Sequence, residues 1–501
     1  MTLNKNIFAN VTGVAVTTIL TFLVVPFYLK WLGPDAYGLV GISTMIQGWI
    51  MLLNAGLAPV AGRQAAQAQQ GAVSWENTVR FFRTIDWLLI AASVLVIVLT
   101  LCTRYWIADH WLEKNNLGSE TVATSLVLLV AMTLIRLATS VSRGIIANLE
   151  RQVWLNVNLI MFNLLRFAAS LPLLYFYPTI SALFIWWLLV AVLEYASIQY
   201  KIICSVPVTV PLFAFDVGEL IRHGRMAAAL AFTSGIWVVV TNFDKLLLSG
   251  MLTLANYGYF SIATMLASGV LTLAQPVAQA FQPRLTKAYS AGGVDRVCQE
   301  LRHCTQWMVL LVFPVGAVIF AMPEAVLFIW THDATLATNA ATILRGYVLG
   351  SIMIASGSLL YVMQVAIGNV RWHFIGNIVF ALILIPSLPW VVSRYGAQGA
   401  AWLWAGFNLV LYVVWNSILL KKLAAPLFPG WLLYDTATPM LISIAMALGF
   451  KAMFQAMFAD SMSNFGSSVV GIVLIIMLIT ALIFAALWTI AVKRNLMRSV
   501  A

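Results

Sequence analysis

Arg136 and Arg166 lie inside long apolar stretches of the chain, where charged side chains are unusual. A charge at the centre of a bilayer costs about 2.5–3.5 kcal/mol on insertion scales, so residues of this kind mark a function or a paired network. A guanidinium group presents a planar fork of N–H donors that matches phosphate oxygens. These two arginines, together with Lys245 and Arg345, predict a cationic cavity for an anionic, phosphorylated substrate. The alternative is a buried structural network, with Lys245 and Arg345 reaching the membrane surface.

Polar side chains recur at helical spacing around the same positions, which predicts polar helix faces. Thr133, Ser140 and Arg143 follow the helical period of Arg136. Hydroxyl and amide groups suit a lumen that handles sugars, and interhelical hydrogen bonding is the alternative. The predicted lining comprises Thr44, Gln47, Asn54, Asn163, Ser261, Thr264, Ser268 and Gln275.

Two carboxylates, Glu194 and Asp244, also lie within apolar segments. Desolvation favours the neutral form of a carboxylate and a nearby arginine favours the charged form. Both residues are therefore candidates for ion coupling. The alternatives are a fixed salt bridge from Glu194 to Arg136 or Arg166, and a boundary ion pair between Asp244 and Lys245.

The composition identifies the elements that must carry these residues. Of 501 residues, 62% are hydrophobic and 9% are charged, whereas soluble domains contain about 25% charged residues. An all-α integral membrane protein of about fourteen spans is predicted. The predicted organisation is an N-lobe of six spans (1–203), a cytoplasmic linker (204–225), a C-lobe of six spans (226–420) and an extra helix pair with a tail (421–501).

The net charge of +11 does not indicate a nucleic-acid partner, because most of the 28 Lys and Arg residues fall in segments assigned to the cytoplasm. This positive-inside bias predicts that both termini are cytoplasmic. The basic segment 282–304 has apolar residues at helical spacing and is expected to lie on the inner leaflet.

No catalytic, nucleotide-binding or metal-binding motif is present in the sequence, and the four cysteines show no CxxC spacing. A transporter is therefore expected rather than an enzyme. Its energy is expected to come from an H⁺ or Na⁺ gradient, with no cofactor or metal.

An internal repeat supports this interpretation. Residues 37–45 (YGLVGISTM) return as residues 257–265 (YGYFSIATM), with five of nine positions identical. Two similar halves in a bilayer are typical of alternating-access transporters.

The chain resembles the Wzx-type polysaccharide flippases of the multidrug/oligosaccharidyl-lipid/polysaccharide (MOP) exporter superfamily. The resemblance is carried by residues 32–38 (LGPDAYG), 242–250 (NFDKLLLSG) and 395–400 (YGAQGA). It implies two six-helix lobes around a central cavity, plus a C-terminal helix pair. It also implies export of an undecaprenyl-diphosphate-linked oligosaccharide across the bacterial inner membrane, in contact with membrane lipids and other polysaccharide assembly proteins.

Three other functions stay open at this point. A multidrug antiporter of the same architecture would need an acidic cavity, whereas the deep charges here are mainly positive. A peptidoglycan-precursor flippase would share the diphosphate chemistry. A membrane-embedded glycosyltransferase or polymerase would require a substantial exterior domain, which the short loops disfavour.

Overall fold

The computed structural model describes residues 2–112, 116–208, 217–457 and 478–489, and within these ranges the chain forms helices and short turns without any strand. The helices are α1 (Thr2–Gln69), α2 (Trp75–Trp106), α3 (Ser119–Asn148), α4 (Gln152–Asn163), α5 (Ser170–Phe176), α6 (Ile180–Ile203), α7 (Val217–Met251), α8 (Leu254–Ala321), α9 (Pro323–Thr331), α10 (Ala334–Ile367), α11 (Arg371–Val410), α12 (Asn416–Leu423), α13 (Thr438–Met457) and α14 (Leu478–Thr489). Wider π-helical turns occur at Ile107–Trp111, Leu164–Ala168, Leu411–Trp415 and Trp431–Ala437.

The described residues contain nine helical segments that are long and apolar enough to cross a membrane. Several are continuous helices broken at one point by glycine. Gly33 in α1, Gly293 in α8 and Gly396 in α11 have φ values of 81°, 62° and 58°, a region that residues with a Cβ rarely adopt. Two of these glycines belong to the LGPDAYG and YGAQGA motifs, which therefore mark sharp bends between membrane helices. The all-helical membrane fold is confirmed, and the number of about fourteen spans stays a prediction.

The chain divides into two compact units, residues 1–258 (unit 1) and 259–501 (unit 2). This division differs from the predicted lobe boundaries, since α7 belongs to unit 1 and begins at Val217, inside the segment predicted to be a linker. The predicted boundaries at 203, 225 and 420 stay predictions.

In unit 1, α1 packs against α3, α4 and α7, and α3 packs against α2 and α6. Phe81, Phe82 and Ile85 of α2 are buried in one apolar cluster with Ile145 of α3 and Ile198 of α6. In a membrane, van der Waals packing of such side chains holds the helices together.

The internal repeat lies at a close contact between the second half of α1 and the start of α8. A Cβ on Gly38 would lie 2.2 Å from the carbonyl oxygen of Leu254, and a Cβ on Gly258 would lie 2.8 Å from that of Pro34. Each repeated glycine thus meets the backbone four residues before the other glycine. The identity of these positions follows from a symmetric contact that leaves no room for a side chain.

In unit 2, α10 is buried between α9 and α11 over much of its length. The indole of Trp431 is fully buried and donates a hydrogen bond to Thr305 Oγ1 of α8 at 2.7 Å. One turn further, Asp435 lies 3.4 Å from Arg302 Nε. The segment before α13 is therefore tied to α8.

The expectation that segment 282–304 lies on the inner leaflet is not supported. Val297, Leu301 and Cys304 are each 0% exposed, because the apolar side of this part of α8 packs against protein. The segment is helical, as its spacing predicts. An apolar stripe on a helix cannot by itself show whether the stripe contacts protein or lipid.

Candidate cationic substrate site

Arg166 lies in the π-helical turn Leu164–Ala168, next to α6. A π-helical turn displaces backbone hydrogen bonds, and two tryptophans of α6 bond to the carbonyls of this turn. Trp186 Nε1 donates to Leu165 O at 2.9 Å and Trp187 Nε1 donates to Arg166 O at 3.2 Å. The turn is thereby fixed against α6, with the Arg166 side chain directed into unit 1.

The Arg166 guanidinium is buried among aromatic groups and not among carboxylates. Its side chain is only 7% exposed. Its carbon Cζ lies 4.5 Å from the ring centre of Trp187 and 5.2 Å from that of Phe167. One terminal nitrogen lies 3.8 Å from the sulfur of Met132, and Nε has no hydrogen-bond partner. Within the described residues Arg166 forms no ion pair, so its charge is stabilised by cation–π contacts of about 2 kcal/mol when desolvated.

Arg136 and Arg143 lie on α3, on the face that meets α6. Arg143 forms a salt bridge with Glu194 of α6. Arg136 is half-buried and lies within electrostatic reach of both Glu194 and Arg143. In the part of the chain that the structure describes, Arg136 forms no ion pair of its own. Glu194 thus pairs with Arg143, and not with the two arginines that the sequence suggested as its partners.

We call three residues the arginine row, because one contacts α3 at Met132 and two lie on the same face of α3: Arg166, Arg136 and Arg143. Met132, which contacts Arg166, is one helical turn from Arg136 on the same face of α3. The positions 132 and 143 are separated by about 16 Å along the helix axis, half the thickness of a bilayer core of about 30 Å. The row carries three guanidinium groups and one direct carboxylate partner, Glu194, which leaves an excess of positive charge.

Lys245 and Arg345, the other predicted cations, have their own partners. Lys245 Nζ donates to the carbonyl of Thr241 and lies 3.9 Å from Asp244 Oδ1. The two residues thus lie close enough to pair with each other, and the choice between a boundary pair and a cavity role stays a prediction. Arg345 belongs to unit 2, where it lies 3.2 Å from Glu324 and also donates to Phe320 O. Neither residue is part of the arginine row.

The predicted polar lining is distributed over both units. Most of its hydroxyl groups bond to the preceding turn of their own helix, as Thr44 does to Gly41 O and Thr264 does to Ser261 O. Gln47 bonds to Ser43, and Ser268 bonds to Met265 O. Such bonds satisfy a hydroxyl group inside a membrane without a ligand, so a role in lining a sugar pathway stays a prediction.

Three further members of that set have different surroundings. Asn163 is buried and donates to Thr17 Oγ1 at 3.2 Å, which joins α4 to α1. Asn54 Oδ1 is buried without a hydrogen-bond partner. Gln275 is exposed. Asn54 is the member whose polar atom is least satisfied by the protein itself.

A polar cluster that lies on α2, α3 and α6 is not among the residues predicted from the sequence. Asp86 lies at the start of the apolar run of α2, and its carboxylate contacts Gln199 of α6. Gln199 also contacts Ser142 and Tyr195. The signal was present, because Arg83 and Asp86 are three residues apart at the start of a span. The described residues contain no group of three or more His, Cys, Asp or Glu that could hold a metal ion.

Comparison with known proteins shows which family models the sequence matches. The family described as "Polysaccharide biosynthesis protein" matches residues 3–289, more than half of the chain, and the family described as MatE matches residues 229–390. None of the curated protein sequences compared with the chain matches it significantly.

Several solved structures share the fold. One of them is titled "Lipid II flippase MurJ, inward closed conformation". The two sequences are 14% identical, the match covers 98% of this chain and 99% of the MurJ chain, and the TM-score is 0.75. An inward-facing multidrug resistance MATE family transporter of the MOP superfamily is 15% identical, with coverages of 82% and 95% and a TM-score of 0.68. A MOP superfamily transporter from Pyrococcus furiosus, whose title describes a binding pocket of reverse polarity, is 16% identical, with coverages of 84% and 96% and a TM-score of 0.55. The chain therefore belongs to the polysaccharide biosynthesis protein family and has the multi-span helical fold of MOP-superfamily membrane transporters.

Proposed function

We propose that this protein is a flippase that moves an undecaprenyl-diphosphate-linked oligosaccharide from the inner to the outer leaflet of the bacterial plasma membrane. The observation that carries the proposal is the arginine row, with three guanidinium groups and one direct carboxylate partner along α3. A lipid-linked oligosaccharide carries negative charge at its diphosphate, so a membrane protein that moves it needs cationic groups that receive this diphosphate. Membership of the polysaccharide biosynthesis protein family agrees with this substrate class.

The three arginines would contribute differently. Arg136 has no ion pair of its own within the described residues and is half-buried, so it can offer its N–H fork to a phosphate. Hydrogen bonds between charged partners contribute about 1.5–3 kcal/mol, which is comparable with the aromatic contacts that hold Arg166. Arg166 can therefore exchange Trp187 for a phosphate oxygen. Arg143 stays with Glu194 and neutralises it, so that this carboxylate does not cancel the charge of Arg136.

In this proposal the glycan occupies a wet lumen, the polyprenyl tail stays in lipid, and access alternates between the two leaflets. Because the sequence contains no nucleotide-binding motif, an H⁺ or Na⁺ gradient would drive the cycle. Membrane lipids and other proteins of polysaccharide assembly would be its partners, and both termini would be cytoplasmic.

A multidrug antiporter is the second candidate, because the MatE family matches residues 229–390 and solved MATE transporters share the fold. Cationic drugs would require an acidic site, and the arginine row has the opposite charge. A peptidoglycan-precursor flippase is favoured by the likeness to the MurJ fold. The lipid precursor of peptidoglycan carries the same diphosphate. The two flippase functions therefore differ in the glycan that is transported.

The proposal is tested with the purified protein in proteoliposomes. Three substrates are compared: a fluorescent polyprenyl-diphosphate oligosaccharide, the equivalent peptidoglycan precursor and an organic cation. The expected result is transport of the oligosaccharide lipid, and a loss of about 10-fold or more in Arg136→Gln, since each 1.4 kcal/mol changes a rate tenfold. Arg80→Gln is the matched control, because Arg80 is exposed and pairs with Glu76 one turn away on α2. Transport of the organic cation alone, or an unchanged rate in Arg136→Gln at equal protein level, would refute the proposal.

A further inference from the structure

The carboxylates within the helices of the described part of the chain differ in their pairing. Glu194 forms a salt bridge with Arg143, Asp244 lies 3.9 Å from Lys245, and Asp435 lies 3.4 Å from Arg302. A cation at such a distance favours the ionised carboxylate. Each of these three carboxylates therefore has a cationic partner. Asp86 is half-buried on α2 and forms no ion pair with any described residue.

The partners of the Asp86 carboxylate are neutral and shared. Gln199 Nε2 lies 3.4 Å from both of its oxygens, 3.3 Å from Ser142 Oγ and 2.8 Å from the Tyr195 hydroxyl. An amide nitrogen has two hydrogens, so it cannot serve four oxygens at once, and its bonds to Asp86 are the longest of the set. A proton on the carboxyl group would supply a further donor to this cluster.

A cavity of about 110 Å³ adjoins the carboxylate. This volume is well above the roughly 10–15 Å³ that a cavity needs to hold one water molecule. Ser142 and Gln199 line it together with apolar side chains of α2, α3 and α6, and the chain after α6 completes the wall. Water in this cavity could exchange a proton with Asp86, and the apolar wall disfavours a permanent charge there.

Few charged or polar groups surround Asp86. Arg83 lies three residues earlier on α2 and also lines the cavity, Tyr195 and Gln199 face Asp86 from α6, and Ser142 faces it from α3. Among the described residues that line the cavity, Arg83 is the one cation. A metal cation would have to bind beside Arg83 with a single carboxylate ligand, which makes a proton the better occupant than Na⁺.

We propose that Asp86 is the proton-carrying residue of the transport cycle. One proton binds to a carboxylate oxygen of Asp86 and is later released to water in the adjoining cavity, where α2 begins and α6 ends. This assignment rests on the proposed function for its role in transport, and it replaces Glu194 and Asp244 as the preferred coupling residue.

The first experiment measures proton binding without any substrate. The carbonyl stretch of a protonated carboxylic acid is followed by infrared difference spectroscopy of the purified protein. The pH is varied between about 8 and about 5, a range in which perturbed carboxylates titrate. The expected result is a band that is absent in Asp86→Asn and present in Glu76→Gln, an exposed carboxylate on the same helix. A band that persists in Asp86→Asn overturns the proposal.

The second experiment separates coupling from transport. In proteoliposomes, the transport rate with a pH gradient is divided by the rate without one, and this ratio is expected to fall to about one in Asp86→Asn while it stays above one in the wild type and in Glu76→Gln. Retained acceleration, or acceleration of the wild type by Na⁺ instead of H⁺, overturns the assignment. Absence of any exchange by the wild type would refute the proposed function, whereas the infrared result would still stand.

A third variant covers the case in which Asp86→Asn does not fold. Gln199→Ala removes the hydrogen-bond donor to the ionised carboxylate. Because a bond to the charged form favours that form, its removal is expected to shift the midpoint of the infrared band to higher pH. An unchanged midpoint would show that the band does not belong to Asp86.

Discussion

Replacing Arg166 by methionine tests whether the buried guanidinium serves a ligand or the fold. The change removes cation–π contacts of about 2 kcal/mol with Trp187 and Phe167. The Arg166 side chain is 7% exposed and has no carboxylate partner among the described residues. A buried charge without such a partner is unfavourable, so removing it stabilises the fold. The two effects oppose each other, so we expect the free energy of unfolding to change by no more than about 1–2 kcal/mol.

Arg143→Met is the comparison, since it leaves Glu194 without its direct partner in a site where the carboxylate side chain is 14% exposed. Breaking a buried pair in this way costs about 3–5 kcal/mol, reduced here by the proximity of Arg136. Thermal unfolding in detergent, followed by tryptophan fluorescence, should therefore place Arg166→Met close to the wild type and Arg143→Met clearly below it.

The transport rate of Arg166→Met should fall much more than its stability does. Loss of the Arg166 fork removes about 1.5–3 kcal/mol of charge-assisted hydrogen bonding to a phosphate, which corresponds to a rate reduced about 10- to 100-fold. If Arg166→Met unfolds as early as Arg143→Met, Arg166 is a structural residue. If it folds and transports at the wild-type rate, the arginine row does not bind the phosphate through this residue.

Three further predictions concern packing and topology. Gly38→Ala would place a methyl group 2.2 Å from a backbone carbonyl of α8, so thermal unfolding should show a loss of about 1–3 kcal/mol, whereas Gly406→Ala, with open space around it, should be neutral or stabilising. Trp431→Ala removes a fully buried indole and should cost about 3–5 kcal/mol, measured in the same way. Cys102 and Cys204 are exposed, and an impermeant maleimide should label Cys204 only from the cytoplasmic side and Cys102 only from the outer side.

Each of these has an outcome that contradicts it. Equal unfolding temperatures for the two glycine variants would show that the contact between α1 and α8 is not tightly packed in the membrane. A Trp431→Ala variant as stable as the wild type would mean that the segment before α13 is not anchored by this residue. Labelling of both cysteines from one side would reverse or disprove the predicted topology.

Much of the fold follows from composition and spacing. Apolar runs long enough to cross a bilayer identify the membrane helices, because a backbone in lipid must bond within its own helix. The glycines of the LGPDAYG and YGAQGA motifs are explained in the same local way, since a positive φ at Gly33 and Gly396 excludes other residues. Family membership, which the motifs predicted as a resemblance, is confirmed by the match over residues 3–289.

The sequence by itself identified which charges lie within apolar helices, and only the tertiary structure decided their partners. Arg136, Arg166 and Glu194 could be recognised one by one, because the cost of a charge in an apolar helix is a local property. Their pairing depends on which helix faces meet: α3 meets α6, so Glu194 joins Arg143, and Arg166 lies on Trp187. Asp86 was overlooked for the same reason, since its Gln199 contact joins residues that are 113 positions apart. A contact across that separation has no signature in helical spacing, so it becomes visible only when the helices are packed.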